Sequence, residues 1–144
     1  MSDELRTVTK WVHYYRHELE LPVAERGGFV MLPITARVGV VHLPVARAET
    51  VRIALIGRNL EGPMLARQIR WSFLVTPDGR PDDDVQAELG RHDIGLPGVG
   101  SAVMLPTGLG RWTREGCYWV VPPVAAGTVP PLSVVITAAL AAGA

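Results

Sequence analysis

The sequence predicts an α+β (mixed α/β) fold: one small domain, residues 1–144, with a mixed, largely antiparallel sheet flanked by an N-terminal, a middle and a C-terminal helix. Segments with helical periodicity alternate along the chain with short apolar segments typical of strands. The connections between them are short and rich in proline and glycine. Hydrophobic residues make up 48% of the chain and charged residues 19%, which is enough apolar material for a folded core.

The first helix is predicted from apolar residues that recur at alternating steps of three and four. They are Leu5, Val8, Val12, Tyr15 and Leu19. Pro22 should end this helix, because the residue before a proline disfavours the α-helical conformation. Two apolar segments at 29–33 and 38–43 then predict two strands, and a middle helix is expected at about 46–59.

The second half of the chain continues with strands and two further helices. Its clearest strand is 70–75, where the large apolar residues Trp71, Phe73 and Val75 alternate with Ser72 and Leu74. Residues 64–70 give no clear pattern. The remaining predicted elements are a short helix at 82–90, a pair of strands at 93–96 and 102–105, a strand at 118–121 and a helix at 133–142.

The bulk composition excludes several classes of protein. The net charge is zero, which argues against a strong general polyanion binder. No apolar segment approaches the ~18 residues of a membrane span, and the acidic N-terminus is not typical of a signal peptide, so we expect a cytoplasmic protein without membrane contact. The single cysteine, Cys117, excludes a disulfide framework and a multi-thiolate metal site, and it is expected to be a buried apolar residue.

No motif in the sequence assembles a complete catalytic or metal site, and we expect no cofactor. His13 and His17 stand four residues apart on the first helix, a spacing that can chelate a metal, but a solvent-facing pair is the simpler interpretation. The segment from residue 37 to residue 70 contains six arginines and only two glutamates, which indicates either a solvated helix surface or a local basic face.

The best surface candidate is the sequence around an exposed tryptophan. Trp112 lies between Arg111 and Arg114 in a loop that joins two predicted strands. An exposed aromatic side chain between two guanidinium groups is suited to contact a phosphate-bearing ligand or a protein. We therefore predict a binding patch at these three residues.

From Val38 onward the chain resembles the N-terminal domain of bifunctional primase–polymerases, the archaeo-eukaryotic primase type found in actinobacteria. The resemblance rests on the order of elements over about 100 residues. An apolar strand at 38–44 precedes a helix, and an aromatic strand at 70–77 ends in proline. The segment Asp93-Ile94-Gly95 and a glycine-rich turn then lead into an apolar strand that ends at Pro106, and Trp119 follows.

The residues that differ from this family bear on function. Where the family has its two metal-binding acids, this chain has His42 and Pro44, and where the family has a histidine, it has Arg70. Only Asp93 corresponds to a family acid. Since two-metal nucleotidyl transfer needs several carboxylates, the resemblance implies an inactive relative that acts by binding nucleic acid or a protein. His42, Arg70 and Asp93 then become candidate binding residues.

Two alternatives come from other classes of protein. Residues 14–30 resemble the first helix and strand of glyoxalase and bleomycin-resistance proteins, which would imply a small-molecule site with a metal held by His13 or His17. The leading strand and the second metal-binding half of that family have no match here. The short chain, its even charge balance and the apolar C-terminal helix would also suit a structural subunit that forms a homo- or hetero-oligomer.

Overall fold

The computed structural model describes residues 3–108, 110–125 and 127–142, except the side chains of residues 3–6, so the predicted apolar position Leu5 lies outside the described side chains. The described helices are α1 (Asp3–His17), α2 (Val45–Gly57), α3 (Asp83–Arg91) and α4 (Leu132–Ala141). The described strands are β1 (Ala24–Arg26), β2 (Phe29–Pro33), β3 (Gly39–Pro44), β4 (Met64–Arg67), β5 (Arg70–Val75), β6 (Ala102–Leu105) and β7 (Cys117–Val121).

The predicted α+β class is confirmed, and α2, α3 and α4 start and end within two residues of their predicted bounds, whereas α1 ends at His17, before the predicted stripe residue Leu19. The strands form two sheets instead of the one that we expected. One has three strands in the order β1-β2-β6, and the other has four in the order β3-β5-β4-β7. Every pairing between these named strands is antiparallel.

The predicted strand pair 93–96 with 102–105 is wrong. Strand β6 pairs with β2 instead, and of residues 93–96 only Gly95 makes a ladder contact, an isolated bridge to His42 on β3. The reason lies at the end of α3. Asp93 has a φ of 58°, and the N–H groups of Asp93 and Ile94 bond back to Gly90 and Leu89 in a Schellman motif, so the chain turns there before it can extend.

Strand β4 was missed because it carries no alternating pattern. Met64, Leu65 and Ala66 are all buried, since this strand lies inside the four-stranded sheet and both of its faces are covered. A four-residue apolar segment of this kind cannot be assigned from periodicity. Its position matters because β4 carries Arg67 into the candidate site.

The four-stranded sheet separates two buried cores. Val40 and Leu74 lie on one of its faces, while Val41 and Phe73 lie on the other, because successive side chains of a strand point to opposite faces. The first face packs against the three-stranded sheet and α1, and we name this region the inter-sheet core. The second face packs against α2, α3 and α4.

The inter-sheet core holds the two sheets together through large apolar side chains that are almost completely buried. Its buried members are Val8, Tyr15, Leu21, Val23, Val30, Leu32, Ile34, Val40, Leu65, Leu74, Val103, Leu105, Cys117 and Trp119. At one end of the region this apolar packing gives way to polar side chains, which form the site described below. Within the described residues, no helix has the length and apolar character needed to cross a membrane.

Candidate functional site

A cleft of about 340 Å³ opens where the inter-sheet core ends. One wall comes from the four-stranded sheet and is polar, and the other comes from β2 and β6 and is apolar. The polar wall consists of His42, Arg67, Arg70 and Ser72. The apolar wall consists of Met31, Ala102, Val103 and Met104.

Arg67 and Arg70 lie side by side in this cleft. They are register partners across the two-residue turn that joins β4 to β5, so their side chains leave the same face of the sheet. Two like charges placed directly opposite each other destabilise a sheet, and an anion bound between them would offset that repulsion. The turn residue Gln68 also has a φ of 41°, a conformation that disfavours a residue with a side chain.

His42 and Ser72 form the inner part of the polar wall. They are register partners on β3 and β5, and the Nδ1 atom of His42 lies 2.6 Å from the Oγ atom of Ser72. Ser72 is 5% exposed and His42 is half-buried. Burial, together with the positive charges of Arg70 and Arg67, lowers the pKa of His42 below its ordinary value of 6.5. The imidazole is therefore neutral at pH 7.

Asp93 lies at the rim of the cleft and pairs with Arg70. The Nη2 atom of Arg70 donates to the backbone carbonyl oxygen of Asp93 at 3.0 Å and also forms an ion pair with the Asp93 carboxylate. The Asp93 side chain is 75% exposed, so water screens this ion pair and its strength is modest.

Gly95 completes the link between Asp93 and the inner wall. Its N–H and C=O groups both bond to the backbone of His42 at 2.9 Å, which covers part of the edge of β3. A Cβ atom at Gly95 would lie 3.6 Å from the Cβ atom of His42 and 3.7 Å from the Nη1 atom of Arg70. The structure thus brings together three of the residues that the sequence singled out, His42, Arg70 and Asp93, at one opening.

The predicted patch lies in the loop between β6 and β7, at the same end of the four-stranded sheet as Arg67. Cys117, the first residue of β7, is the register partner of Arg67, and the patch residues precede Cys117 by only three to six positions. Trp112 is 95% exposed, as predicted. Arg111 lies over the ring of Tyr118, with 5.4 Å between the guanidinium carbon and the ring centroid.

Two residues near Trp112, Glu115 and Arg114, hold this loop in place. The fully buried carboxylate of Glu115 accepts hydrogen bonds from the backbone N–H of Thr107 at 3.0 Å and from its hydroxyl at 2.7 Å. Arg114 donates to the carbonyl oxygen of Gly28 at 2.9 Å and packs over the ring of Phe29. Arg114 therefore anchors the loop and is not a free cation, whereas Trp112 is left at the surface.

Other candidate residues stay apart from the cleft. His13 and His17 stack with ring centroids 4.3 Å apart on the exposed face of α1. Among the residues that the structure describes, no group of three or more His, Cys, Asp and Glu side chains could hold a metal ion. Cys117 is buried as expected, and burial raises the pKa of its thiol.

Sequence reasoning missed Arg67 and Ser72. The spacing of Arg67 and Arg70 around a two-residue turn was the available signal, but Gln68-Ile69 lacks the glycine or asparagine typical of such turns. Ser72 gave no signal, because its partner His42 is 30 residues away and only the strand register brings them together.

The arrangement can bind an anion but offers little for metal-dependent chemistry. Two guanidinium groups, one hydroxyl and one imidazole line the opening, no carboxylate is among the described residues that line it, and Asp93 pairs with Arg70 beside it. Comparisons with protein-family models, with curated proteins and with solved structures return no match to this chain. The resemblances to primase–polymerases and to glyoxalases therefore remain predictions.

Proposed function

We propose that this chain is a non-catalytic, primase–polymerase-like domain that binds single-stranded nucleic acid, with backbone phosphates at the arginine cleft and a base on Trp112. The observation that carries the proposal is the convergence of Arg67, Arg70, His42 and Ser72 on one cleft between the two sheets. Single-strand binding commonly combines a positively charged groove with aromatic side chains on which bases stack.

The cleft suits phosphate for reasons of charge and geometry. Guanidinium groups bind phosphate oxygens through two parallel N–H donors, which makes arginine the preferred residue for this contact. Arg70 already pairs with the Asp93 carboxylate through its Nη2 atom, and that exposed ion pair can be exchanged for a ligand phosphate at small energetic cost. The volume of about 340 Å³ lies near the lower limit for ligand pockets, so it fits one or two phosphates and not a folded partner.

Trp112 supplies the second contact that single-strand binding needs. Its ring is almost fully exposed, while Glu115 and Arg114 fix the loop that carries it, so little entropy is lost when a base stacks there. Stacking on an aromatic side chain is tolerant of sequence, because every base has a π-face. Because the net charge of the chain is zero, we expect it to contact only a few phosphates and to bind nucleic acid weakly.

The test is fluorescence anisotropy with labelled single-stranded and duplex DNA over a series of salt concentrations. Two phosphate contacts predict that the logarithm of the binding constant falls with the logarithm of salt concentration at a slope of about −1.4 for single strands. Arg67→Gln and Arg70→Gln should each reduce that slope by about 0.7. Arg58→Gln, an exposed arginine just beyond α2, is the matched control. Binding that does not respond to salt, or that Arg58→Gln weakens equally, would exclude the cleft as the site.

Self-assembly is the second candidate function, and one observation favours it. Ile53 and Ile56 lie three residues apart on α2 and are 70% and 48% exposed. An apolar pair on one helix face can pack against its copy about a two-fold axis. Sedimentation over a range of protein concentrations should then show a dimer that Ile53→Glu abolishes and that Val124→Glu, an equally exposed apolar site, leaves intact.

A further inference from the structure

We propose that the cleft takes up a proton with its anion: His42 becomes protonated when an oxyanion binds between Arg67 and Arg70, and this protonation turns the hydroxyl of Ser72 toward the anion. The inference deepens the proposed binding function and rests on it. It names the ligand chemistry, an oxyanion such as a phosphate group, and a pH dependence of the same site.

The hydrogen bond between His42 and Ser72 couples the protonation state of the imidazole to the direction in which the Ser72 hydroxyl points. With a neutral imidazole whose hydrogen is on Nε2, Nδ1 accepts the hydroxyl hydrogen of Ser72 over the 2.6 Å that separates the two atoms. An imidazolium carries hydrogen on both nitrogens and cannot accept, so Nδ1 must then donate to the Ser72 oxygen. The hydroxyl hydrogen of Ser72 is thereby released and can rotate to another acceptor in the cleft.

The charges around His42 explain why the anion controls this change. Burial is the main cause of the lowered pKa of His42, and the positive charges of Arg70 on β5 and Arg67 on β4 lower it further. Cys117 on β7 lies beside Arg67 with a thiol that burial keeps protonated, since its pKa is raised. Asp93 reaches the cleft only through Arg70. The opposite wall, from β2 and β6, contributes Met31, Ala102, Val103 and Met104, none of which titrates.

An oxyanion between the two arginines offsets the part of the lowered pKa of His42 that comes from their positive charges, while the part that comes from burial remains. Its negative charge offsets the two guanidinium charges and favours the imidazolium, so the pKa of His42 rises in the complex. A group whose pKa is higher in the complex than in the free protein takes up a proton on binding. Affinity is therefore greatest below the pKa of the free protein and falls as the pH rises toward the pKa of the complex.

The experiment uses sulfate, whose charge stays constant between about pH 5 and 8, the interval in which histidine titrates. Calorimetric titrations should show an affinity that rises as the pH falls, by at most about tenfold per pH unit for one coupled proton. The binding enthalpy should vary with the ionisation enthalpy of the buffer, which reports the proton taken up. Nuclear magnetic resonance titration of the His42 ring should show a higher pKa with sulfate than without.

Three variants separate this mechanism from a general charge effect. His42→Asn keeps a short polar group opposite Ser72 but cannot titrate, and it should remove both the pH dependence and the proton uptake. Ser72→Ala should weaken sulfate binding mainly at low pH, where the hydroxyl is released. His13→Gln removes a histidine from the exposed face of α1 and should change neither quantity.

The outcomes distinguish this inference from the proposed function. Sulfate binding that is independent of pH overturns the proton coupling and leaves the binding function intact. Failure to bind sulfate at any pH, with arginine-dependent binding of single-stranded DNA retained, also overturns the coupling. Failure to bind either ligand removes the proposed function itself.

Discussion

Trp119 on β7 donates its indole N–H to the hydroxyl oxygen of Tyr15 on α1 at 2.9 Å, and this hydroxyl donates in turn to the carbonyl oxygen of Pro106 at 2.6 Å. Tyr15 is completely buried and Trp119 nearly so. Burial raises the pKa of the Tyr15 hydroxyl far above its ordinary value, so it keeps its hydrogen and can donate. One hydroxyl thus fastens α1 to the strand and the loop that flank the candidate binding patch.

Tyr15→Phe should lower the free energy of unfolding by about 1–3 kcal/mol, because it leaves two buried polar groups without a partner. Urea denaturation followed by tryptophan fluorescence measures this change. Tyr14→Phe removes a hydroxyl from the same helix at a half-buried position and is the control. Equal losses in the two variants would contradict a special role for the buried hydrogen bonds.

Asp93→Asn should strengthen the binding of anions in the cleft, because it removes the carboxylate that competes for Arg70. Asparagine tolerates the left-handed backbone conformation at this position, so the turn after α3 should persist. An exposed ion pair contributes about 0.2–1 kcal/mol, which corresponds to an affinity gain of at most roughly fivefold. Titrations with sulfate and with single-stranded DNA measure it.

The control for this prediction is Asp84→Asn, which removes the same charge from the exposed first turn of α3. If both variants raise the affinity equally, a general change in net charge is the cause. If Asp93→Asn weakens binding, Asp93 holds Arg70 in the binding geometry and does not compete with the ligand.

Trp112→Ala should weaken the binding of single-stranded DNA by about 1–3 kcal/mol, the usual contribution of one stacked base. Because the ring is 95% exposed, the melting temperature should hardly change. Paired anisotropy and thermal-denaturation measurements test both statements. Ile69→Ala, an exposed apolar residue in the β4–β5 turn, serves as the control, and a comparable loss of affinity there would argue against stacking.

We expect Asp78 to make the free energy of unfolding depend on pH at acidic pH values. Its carboxylate accepts hydrogen bonds from the backbone N–H of Ser133, at 2.9 Å, and from the Ser133 hydroxyl at the start of α4. These bonds lower the pKa of Asp78 below its ordinary value of 3.8. The ionised form therefore stabilises the fold fully above that value, and the stabilisation is lost as the pH falls through the pKa of the folded state.

The measurement for Asp78 is the urea midpoint of the wild type and of Asp78→Asn from neutral pH into acid. The wild type should be more stable at neutral pH, and the difference should shrink as Asp78 becomes protonated. Glu49→Gln, at an exposed position on α2, is the control. A difference that stays constant throughout the acid range would show that the Asp78 charge does not contribute.

The helices and the fold class could be predicted because their signals are local. The stripe that includes Val8 and Tyr15 and the alternation around Trp71 each lie within one element. The cap of α3 is local too, since Asp82 accepts a hydrogen bond from the backbone N–H of Val85 at 2.8 Å. Such patterns depend on helix and strand geometry alone, so they can be read without knowing the tertiary structure.

The site could be predicted only in part, because its remaining members depend on strand register. His42, Arg70 and Asp93 were singled out by the resemblance, but the contact of His42 with Ser72 follows from the pairing of β3 with β5. Arg67 was missed because β4, the strand that places it in the cleft, has no alternation of apolar and polar residues. The sequence indicated an exposed Trp112, whereas the use of Arg114 as an anchor required its neighbour Phe29, more than 80 residues earlier in the chain.

The order of the strands also has a consequence for co-translational folding. The three-stranded sheet needs β6 and the four-stranded sheet needs β7, so the first cannot be complete before Leu105 has been synthesised and the second not before Val121. Until then, the strands made earlier have edges whose backbone N–H and C=O groups are not paired with another strand. Contacts between residues that are distant in sequence also form slowly. We expect the anion cleft to form only after β6 has been synthesised, because Ala102, Val103 and Met104 belong to its apolar wall.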